Sequence, residues 1–587
     1  MPCAAFVVCV LPEPPKNAPR TTQYGAYIHE ILGHAGLCYE TLAMDELLGA
    51  LRDGAGLRLL LTVGEAAFAP DVTGRLEAWV AEGGAWLSIG GICGMEALLG
   101  ASAVAPSFVL WGGSLRALGE GYMDAGGSGD PVLAGIPRPL HYFGGVAVRA
   151  NGASVAAVCL DVHGRPTDLA ALLEHSVGAG RTMLIAPDVT GTVVRIQQGV
   201  AITRDGIPAP DGTGPINDGV LKSDDGQVLD WLLDREEVAG APGLSAYLQP
   251  VADQWRGVVL RALFSLAARQ NIVLALLWFY PDNLPALGHL SHDTDGNTEP
   301  HASRLLETLA EANVRSTWCV ILPGYPPEIM EAIEQAGHEL ATHFDAMTEG
   351  CPWGEAHFDR QWRELCSLFG TVPVTNKNHY LRWEGDTEFF TWCVARGIAM
   401  DQSKGASKTG EAGFNFGTCH PYRPVTPDGE ILPILELATF TQDLLVFAPE
   451  AIVAPLLDAV VAQHGILHLL FHPAHIEKPG VAAALLNAVR TGEAHGLRWR
   501  TASDIARWEN ARRAATWTVT EDAFTLKAGP NAALPGATLL VLAPDASGMI
   551  IDGQPMESDL VERWGVRFHA ITRDIDAGAT LRLEVRQ

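Results

Sequence analysis

Apolar runs of strand length alternate along most of the chain with stretches in which apolar residues recur at helical spacing. In the first part, Leu57–Thr62 and Ala85–Ile89 have the continuous apolar character of buried strands, and Pro70–Glu82 between them has the helical spacing. A strand, a helix and a further strand in this order are typical of a parallel sheet covered by helices. The pattern therefore predicts an α/β domain over residues 1–245.

The same alternation resumes after residue 285 and continues to residue 512. Four apolar stretches in this region predict strands, with helical stretches between them: Leu287–His292, Ser316–Ile321, His338–His343 and Gly465–Phe471. The preceding segment, 246–285, is rich in apolar residues, but Arg261 and Arg269 interrupt it, which favours a linker with a buried helix over a membrane span. We predict a (β/α) barrel over residues 286–512.

Beyond residue 512 the pattern changes to short strand-like segments separated by Gly, Pro, Asp and Asn. The segments Trp517–Leu526, Ala537–Leu542 and Val566–Ile571 are typical of strands in an antiparallel sheet. The sequence thus predicts a small β-sandwich domain over residues 513–587. For the whole chain it predicts an α/β multidomain protein.

The composition narrows the class of partner. Of the 587 residues, 48% are hydrophobic and 18% are charged, which is typical of a folded globular protein, and the formal net charge is −28. A surface this acidic repels phosphate backbones, and no basic run is present that would bind an anionic membrane. The ten cysteines are scattered without a CxxC pair, as expected of reduced thiols in a cytoplasmic protein. We expect neither a nucleic-acid nor a membrane partner, and association into a homo-oligomer stays open.

Candidate chemistry begins where the strand Leu287–His292 ends. Asp293 and Asp295 leave on one face if the strand persists, and two carboxylates this close repel unless a cation or a proton lies between them. The alternative is an Asx-rich turn that caps the next helix. His343 ends another predicted strand, at the edge where α/β barrels carry catalytic groups, although a single histidine is more often structural.

The two segments together resemble the polysaccharide-deacetylase (NodB-like) family. In that family an Asp-bearing strand end is followed, one helix–strand–helix unit later, by a strand with the pattern Gly-His-Glu-x-x-x-His, and the segment 337–343 repeats this pattern up to His343. The resemblance covers residues 286–512 and implies a NodB-like (β/α) barrel. It also implies that Asp295 and His343 bind a divalent metal, with zinc the leading candidate, and that Asp293 is the base that takes a proton from metal-bound water.

Two later segments resemble the family's motifs more loosely. Arg382, in the segment 382–385, takes the place of the arginine that braces the catalytic Asp, without the prolines of that motif. The alternative is a surface arginine in a loop. His472 ends the apolar strand Gly465–Phe471 and takes the place of the histidine that acts as general acid to the leaving amine. The alternative here is a histidine that caps the loop before Pro473.

The chain departs from the family pattern at the third metal ligand. Four residues after His343 the family has a second histidine, whereas this chain has Met347, whose thioether binds hard divalent ions poorly. The two aspartates are also spaced as Asp-x-Asp, while the family has an adjacent pair. The candidates to complete the site are Asp345, His420, His472 and His475.

Residues 1–245 resemble the class I glutamine-amidotransferase-like fold, which is Rossmann-like, in the helix–Glu-Gly-Gly-Ala–strand pattern at residues 82–85. The segment 90–95 resembles the nucleophile elbow Gly-x-Cys-x-Gly of that fold, with Cys93 as the thiol. No His-x-Glu follows at the expected distance, and a thiolate nucleophile needs a neighbouring base. We therefore expect Cys93 to be a buried residue of a strand-to-helix turn.

These features predict a metal-dependent hydrolase that acts on a C–N amide bond. The expected substrate is the N-acetyl group of a sugar or a related small amide. The alternative is a catalytically inactive carbohydrate-binding or scaffolding protein built on a degenerate deacetylase barrel, and Met347 is the best support for it.

Overall fold

The computed structural model describes residues 5–12, 24–52, 56–104, 118–127, 129–206, 209–213, 219–348, 350, 352–520 and 523–586. These residues form a mixed α/β protein, as the sequence predicts. The α-helices are Ile28–His34, Leu47–Arg52, Pro70–Ala81, Val189–Gln198, Val251–Arg269, Glu299–Ala312, Pro327–Gln335, Glu355–Phe369, Glu388–Ala395, Val453–Gln463, Val481–Ala494 and Ala502–Arg513. In the described part of the chain, no helix combines the length and the apolar character that a bilayer crossing requires.

The chain divides into two compact units, each built from segments that are distant in sequence. The first unit combines Met1–Val193, Gln254–Asn283 and Asn510–Gln587, and the second combines Val194–Asp253 and Leu284–Glu509. The sequence predicts instead four consecutive segments, 1–245, 246–285, 286–512 and 513–587, and those boundaries stay a prediction.

The first unit contains a sheet of nine strands. Their order is Glu40–Thr41, Ala5–Val10, Leu57–Val63, Ala85–Ile89, Gly180–Ile185, Pro166–Val177, Ser154–Asp161, Glu120–Asp124 and Leu140–Phe143. The first five strands are parallel and the others are antiparallel to their neighbours. The strands predicted at Leu57–Thr62 and Ala85–Ile89 lie side by side and parallel, because the helix between them carries the chain back along the sheet. The amidotransferase-like assignment of this region stays a prediction.

Cys93 lies in a tight turn after the strand Ala85–Ile89, buried and at a φ of 54°. The turn approaches the neighbouring strand end so closely that a Cβ at Gly91 would lie 1.8 Å from Gly64 O. The Glu65 carboxylate accepts hydrogen bonds from the backbone N–H groups of Ile92 and Cys93, over 2.6 and 3.2 Å. Burial and the nearby Glu65 charge raise the pKa of the Cys93 thiol well above its usual range. A thiol held protonated in this way is a poor nucleophile.

Cys93 is therefore expected to resist alkylation in the native protein. Treatment with iodoacetamide at pH 8, followed by digestion and mass spectrometry, should label the part-exposed Cys366 and leave Cys93 unlabelled. Because burial raises the pKa of the Cys93 thiol, the reactive thiolate is scarce at this pH. Labelling of Cys93 ahead of Cys366 would contradict this expectation. It would favour Cys93 as the reactive thiol of a nucleophile elbow.

The first unit also contains a two-stranded antiparallel sheet, Ala101–Ala103 with Val148–Ala150, and two larger antiparallel sheets. One has the strand order Leu274–Leu277, Leu534–Leu542, Val566–Ile575 and Asp559–Arg563, and the other has the order Thr516–Val519, Phe524–Lys527, Thr580–Arg586, Gly548–Ile551 and Gln554–Met556. The strand Leu274–Leu277 falls in the predicted linker, and all four of its residues are buried against Leu534–Leu542. The single strand predicted at Trp517–Leu526 is two strands of a hairpin, with residues 521–522 outside the described part. Their arrangement as a sandwich stays a prediction.

The second unit contains a sheet of parallel strands that is curled into a half-barrel. Its strand order is Leu435–Glu436, Met400–Asp401, Thr375–Asn378, Glu339–Phe344, Thr317–Val320, Leu287–Asp293, Ile466–Leu470 and Thr441–Gln442, with Arg498–Trp499 also paired to Leu287–Asp293. The four strands predicted in this region are found to within one residue at each end. The first and last strands of this order are successive parts of one segment, 435–442, which pairs with Met400–Asp401 on one side and with Ile466–Leu470 on the other.

Local signals place the helices of this unit. Glu299–Ala312 has Pro300 in its first turn, where the missing N–H does no harm, and ends at Asn313 with a φ of 54°. Glu355–Phe369 ends at Gly370, whose φ of 67° favours glycine. The apolar sides of these helices join the buried strand residues in one core cluster. The apolar contacts thus lie along the strands and helices, and the carboxyl ends of the strands carry polar groups.

Candidate metal centre

Four strands of the half-barrel lead into polar residues at the same edge of the sheet. Asp293 ends the strand Leu287–Asp293, and Asp295 follows it. His343 lies in Glu339–Phe344, His379 follows Thr375–Asn378, and His472 follows Ile466–Leu470. Because the strands are parallel, their carboxyl ends lie together, at the edge where α/β barrels carry their active sites.

Asp295, His343 and His379 bring three ligand atoms within 4.8 Å of one another. Asp295 Oδ1 lies 3.3 Å from His343 Nε2 and 3.6 Å from His379 Nε2. Ligand atoms about 2.0–2.1 Å from a tetrahedral zinc ion are separated from one another by roughly 3.3–3.4 Å. The three donors therefore have the spacing that a divalent cation of this size needs.

Hydrogen bonds orient both imidazoles toward this point. His343 Nδ1 lies 2.9 Å from Lys377 O, to which it donates, and His379 Nδ1 lies 3.0 Å from Asp345 Oδ1. In each ring the lone pair of Nε2 is then directed at Asp295, the arrangement usual for metal-binding histidines. His343 Nε2 and Asp295 Oδ1 are buried atoms that lack a hydrogen-bond partner. A cation would satisfy both, and one carboxylate with two imidazoles is a donor set that zinc accepts.

The charges of the group also favour a cation. Burial raises the pKa of Asp295, but the close contact with His343 and the attraction of His472 and His379 outweigh it and lower the pKa to about 2. Burial lowers the pKa of His343, and the attraction of Asp293 and Asp295 outweighs it, so that the pKa is raised. Positive charge is thus stabilised at the point where the three ligand atoms meet.

Asp293 is almost fully buried beside the three ligands. Its Oδ2 lies 4.0 Å from His343 Nε2, and its Oδ1 lies 3.6 Å from Lys377 Nζ. Lys377 is fully buried and donates to Ser291 Oγ over 2.5 Å. The attraction between an ammonium and a carboxylate at this distance in a buried site holds the Asp293 side chain in one orientation.

Arg382, to which the resemblance assigns the bracing of Asp293, contacts other groups. Its guanidinium donates to Glu384 Oε1 and to Ala346 O. Among the residues that the structure describes, none of its contacts is with Asp293. The fully buried Trp383 anchors the chain at this point, and Arg382 is held by its own neighbours.

His472 lies beside the second oxygen of Asp295, with Nε2 3.7 Å from Oδ2. Its Nδ1 lies 2.5 Å from Asp443 Oδ2, and its backbone N–H donates to Asp443 Oδ1 over 2.7 Å. Burial lowers the pKa of His472, but the attraction of Asp443 outweighs it and raises the pKa to about 9. Asp443 thus favours the protonated form of His472, in which Nε2 carries a proton that it can donate.

Asp345 and His475, two other candidates for the third metal ligand, are instead hydrogen-bonded to neighbouring groups of the site. Asp345 accepts hydrogen bonds from His379 and from the backbone N–H of Met347. His475 Nδ1 lies 2.8 Å from Asp443 Oδ2, so His475 shares this carboxylate with the general-acid candidate. Neither residue joins Asp295 in the group of three ligand atoms.

His420 belongs to a different group, with Asp253 and Cys419. The two oxygens of Asp253 accept hydrogen bonds from Thr418 Oγ1 and from the backbone N–H of Cys419. His420 Nε2 contacts Gln463 O over 2.8 Å. The polar side chains of this group therefore hold neighbouring backbone in place.

Sequence reasoning misses His379, Lys377 and Asp443. His379 and Lys377 lie on or next to the strand Thr375–Asn378, which has no apolar residue and gives no strand signal. Asp443 follows the two-residue strand Thr441–Gln442, which is too short to predict. The available signal is weak: His379 directly follows the polar segment 375–378, three residues before Arg382.

A comparison with models of protein families gave no match. A comparison with curated proteins gave none either. Among solved structures, the carbohydrate deacetylase Agd3 covers 99% of this chain and 98% of its own, at 9% identity and a TM-score of 0.39. A protein from Mycobacterium smegmatis assigned as a polysaccharide deacetylase covers 41% of this chain and 96% of its own, at 20% identity and a TM-score of 0.32. The Puue allantoinase covers 39% and 91%, at 16% identity and a TM-score of 0.31. The structural neighbours of this chain thus include carbohydrate and polysaccharide deacetylases.

Proposed function

We propose that the chain is a metal-dependent hydrolase of the polysaccharide-deacetylase type, which cleaves the amide bond of an N-acetylated sugar. The observation that carries the proposal is the convergence of Asp295, His343 and His379, with a carboxylate and a protonated imidazole beside them. A divalent cation held by these three residues supplies a Lewis acid, which polarises an amide carbonyl and makes water a better nucleophile.

Asp293 is the proton acceptor in this proposal. Lys377 holds Oδ1 of its carboxylate, and Oδ2 lies on the side of the ligands, 4.0 Å from His343 Nε2. A carboxylate in this position takes the proton from the attacking water. Because the side chain is buried and held, it needs little reorganisation when the proton arrives.

His472 is the proton donor. An amine does not leave as an anion, so the nitrogen of the scissile amide must receive a proton as the bond breaks. Asp443 holds His472 protonated, and Nε2 faces the site beside Asp295 Oδ2. The two oxygens of Asp295 thus have the metal ligands on one side and the proton donor on the other.

His379 supports an enzyme over the alternative of an inactive carbohydrate-binding or scaffolding protein. That alternative depends on Met347, which leaves the family's third ligand position without a metal-binding side chain. The imidazole of His379 supplies a third donor from a different strand end. The buried pair of Asp443 and His472 points the same way, since sugar binding alone does not require a proton donor held in this manner.

The purified protein is expected to hold one divalent ion, zinc in the first instance, and to release acetate from oligomers of N-acetylglucosamine. Removal of the ion with a chelator should lower the rate at least about a hundredfold, and added Zn²⁺ should restore it, because the ion contributes several kcal/mol of transition-state stabilisation. Metal content is measured by mass spectrometry of the elements and acetate by an enzyme-coupled assay.

Two results would count against the proposal. A fully metal-loaded protein that releases no acetate from any N-acetylated sugar would exclude the substrate class, and small linear amides should then be assayed. A protein that holds no divalent ion yet binds sugars would favour the inactive alternative.

A further inference from the structure

The interior of the half-barrel contains a group of polar side chains where barrels usually have bulky aliphatic ones. Lys377 and Ser291 belong to strands that two others separate in the sheet, so the contact between their side chains crosses this interior. Buried polar groups cost free energy unless they are hydrogen-bonded, so their presence here requires a reason. The fully buried members of the group are His289, Ser291, Lys377, Gln402 and His468.

The hydrogen bonds of this group have a fixed direction, which a backbone carbonyl sets. His468 Nδ1 lies 3.0 Å from Ala438 O, and because a carbonyl can only accept, Nδ1 carries a proton. Burial lowers the pKa of His468 well below its usual range and favours the neutral ring, in which Nε2 is an acceptor. The Ser291 hydroxyl therefore donates to His468 Nε2 over 2.8 Å. Its oxygen is left to accept from Lys377 Nζ over 2.5 Å.

His289 packs behind His468 and keeps it in place. The centroids of the two rings lie 4.5 Å apart. His289 is itself held at both nitrogens, with Nδ1 2.9 Å from Arg500 O and Nε2 2.8 Å from Gln402 Oε1. The acceptor for the Ser291 hydroxyl is thus fixed by packing as well as by hydrogen bonds.

The contact with Ser291 holds Lys377 short of a direct hydrogen bond with Asp293. Lys377 Nζ lies 3.6 Å from Asp293 Oδ1, whereas an ammonium and a carboxylate in direct contact are about 2.7–2.9 Å apart. Among the described residues, Asp293 Oδ1 is a buried atom without a hydrogen-bond partner. Opposite charges in a buried site attract strongly, so a gap between them needs a group that maintains it. Ser291 is that group.

We propose that Ser291, fixed by His468, is a positioning residue that restrains the Lys377 ammonium, so that the Asp293 carboxylate keeps its place beside the metal ligands. A direct ion pair would draw the carboxylate toward Lys377 and away from the point where water is activated. Misplacement of a reacting group by about 1 Å is enough to slow a reaction strongly. This inference rests on the proposed function, in which Asp293 takes the proton from the attacking water.

A cycle of single and double variants tests the restraint with oligomers of N-acetylglucosamine as substrates. Ser291→Ala is expected to lower kcat about tenfold, with KM and zinc content little changed, because Lys377 then moves onto Asp293. The double variant of Ser291→Ala and Lys377→Met should have the kcat of Lys377→Met alone, since no ammonium remains to be restrained. Losses that multiply in the double variant would overturn the proposal, and so would a wild-type kcat in folded Ser291→Ala.

His468→Leu approaches the same hydrogen bonds from the other end and serves if Ser291→Ala does not fold. It removes the acceptor of the Ser291 hydroxyl and is expected to lower kcat about threefold or more, again without loss of zinc. A wild-type kcat in folded His468→Leu would overturn the proposal.

The matched control is Ser316→Ala. Ser316 is also a fully buried serine whose Oγ contacts an imidazole, His338 Nδ1, over 3.0 Å. Both residues directly precede strands, Thr317–Val320 and Glu339–Phe344, and so lie at the edge opposite the metal centre. This variant should keep the wild-type kcat. A loss as large as that in Ser291→Ala would indicate a general effect of packing and would overturn the proposal.

Crystal structures of the wild type and of Ser291→Ala test the restraint independently of turnover. In the variant, Lys377 Nζ should approach Asp293 Oδ1 to about 2.8 Å, and the carboxylate should shift toward it. An unchanged separation would overturn the restraint and leave the hydrolase in place. If the wild type releases no acetate from any oligomer, the proposed function fails, and the separation still decides whether Ser291 restrains Lys377.

Discussion

Replacement of His379 by alanine is expected to weaken zinc binding at least about a hundredfold and to reduce acetate release about a thousandfold or more. The reason is geometric: in the proposed site His379 Nε2 is the third ligand atom, 3.6 Å from Asp295 Oδ1, and its Nδ1 is already engaged by Asp345. Without it, one carboxylate and one imidazole remain, and two donors hold a divalent ion weakly. Metal content after dialysis against buffered zinc, together with kcat/KM, measures the effect.

The matched control is Met347→Leu. Met347 occupies the position where the family pattern has its second histidine, so a site completed there would respond to this change and not to His379→Ala. We expect Met347→Leu to keep wild-type zinc content and activity. Full zinc content in His379→Ala, with an unchanged melting temperature, would exclude His379 as a ligand. One of the other candidates would then complete the site.

Replacement of Asp293 by asparagine is expected to lower kcat by roughly a thousandfold, within the range of about 10²–10⁴ for the loss of a general base. The amide has the same shape as the carboxylate but cannot accept a proton from water. Because Asp295, His343 and His379 remain, zinc content should stay close to that of the wild type. A variant that keeps its metal and loses its turnover would separate the role of Asp293 from ligand binding.

Lys377 and Arg382 provide the paired control for this result. Lys377→Met removes the ammonium 3.6 Å from Asp293 Oδ1 with little change in volume, and should lower kcat about tenfold to a hundredfold. Arg382→Met removes contacts with Glu384, Ala346 and Met347 but none with Asp293, and should change kcat little. The reverse order of effects, in variants that both stay folded, would restore Arg382 as the partner of Asp293.

The part of the site that lies close to apolar strands could be predicted from the sequence. Asp293 and Asp295 directly follow the apolar segment Leu287–His292, and His343 ends a strand that Gly337 separates from the helix before it. These are local patterns, and a residue at the end of a buried strand is at the sheet edge in any α/β arrangement. The structure accordingly brings these three residues together.

The rest of the site depends on a strand that hydrophobicity does not reveal. Thr375–Asn378 is entirely polar, yet all four of its residues are buried. It is stable there because Asn376 Nδ2 donates to Asp401 Oδ1 over 2.7 Å and the backbone N–H of Asn378 donates to Ser403 Oγ over 2.9 Å. Partners that satisfy buried polar groups come from distant segments, so His379 and Lys377 cannot be placed before the fold is known.

By itself, therefore, the sequence determined which segments are strands and helices in the apolar parts of the chain, and which acidic and imidazole groups stand at the ends of those strands. Tertiary structure decided the partners: the position of His379 beside Asp295 and His343, that of Lys377 beside Asp293, and the pairing of Leu274–Leu277 with Leu534–Leu542. The physical reason is that periodicity reports how one segment is buried, whereas strand pairing and the convergence of side chains depend on segments far apart in the chain.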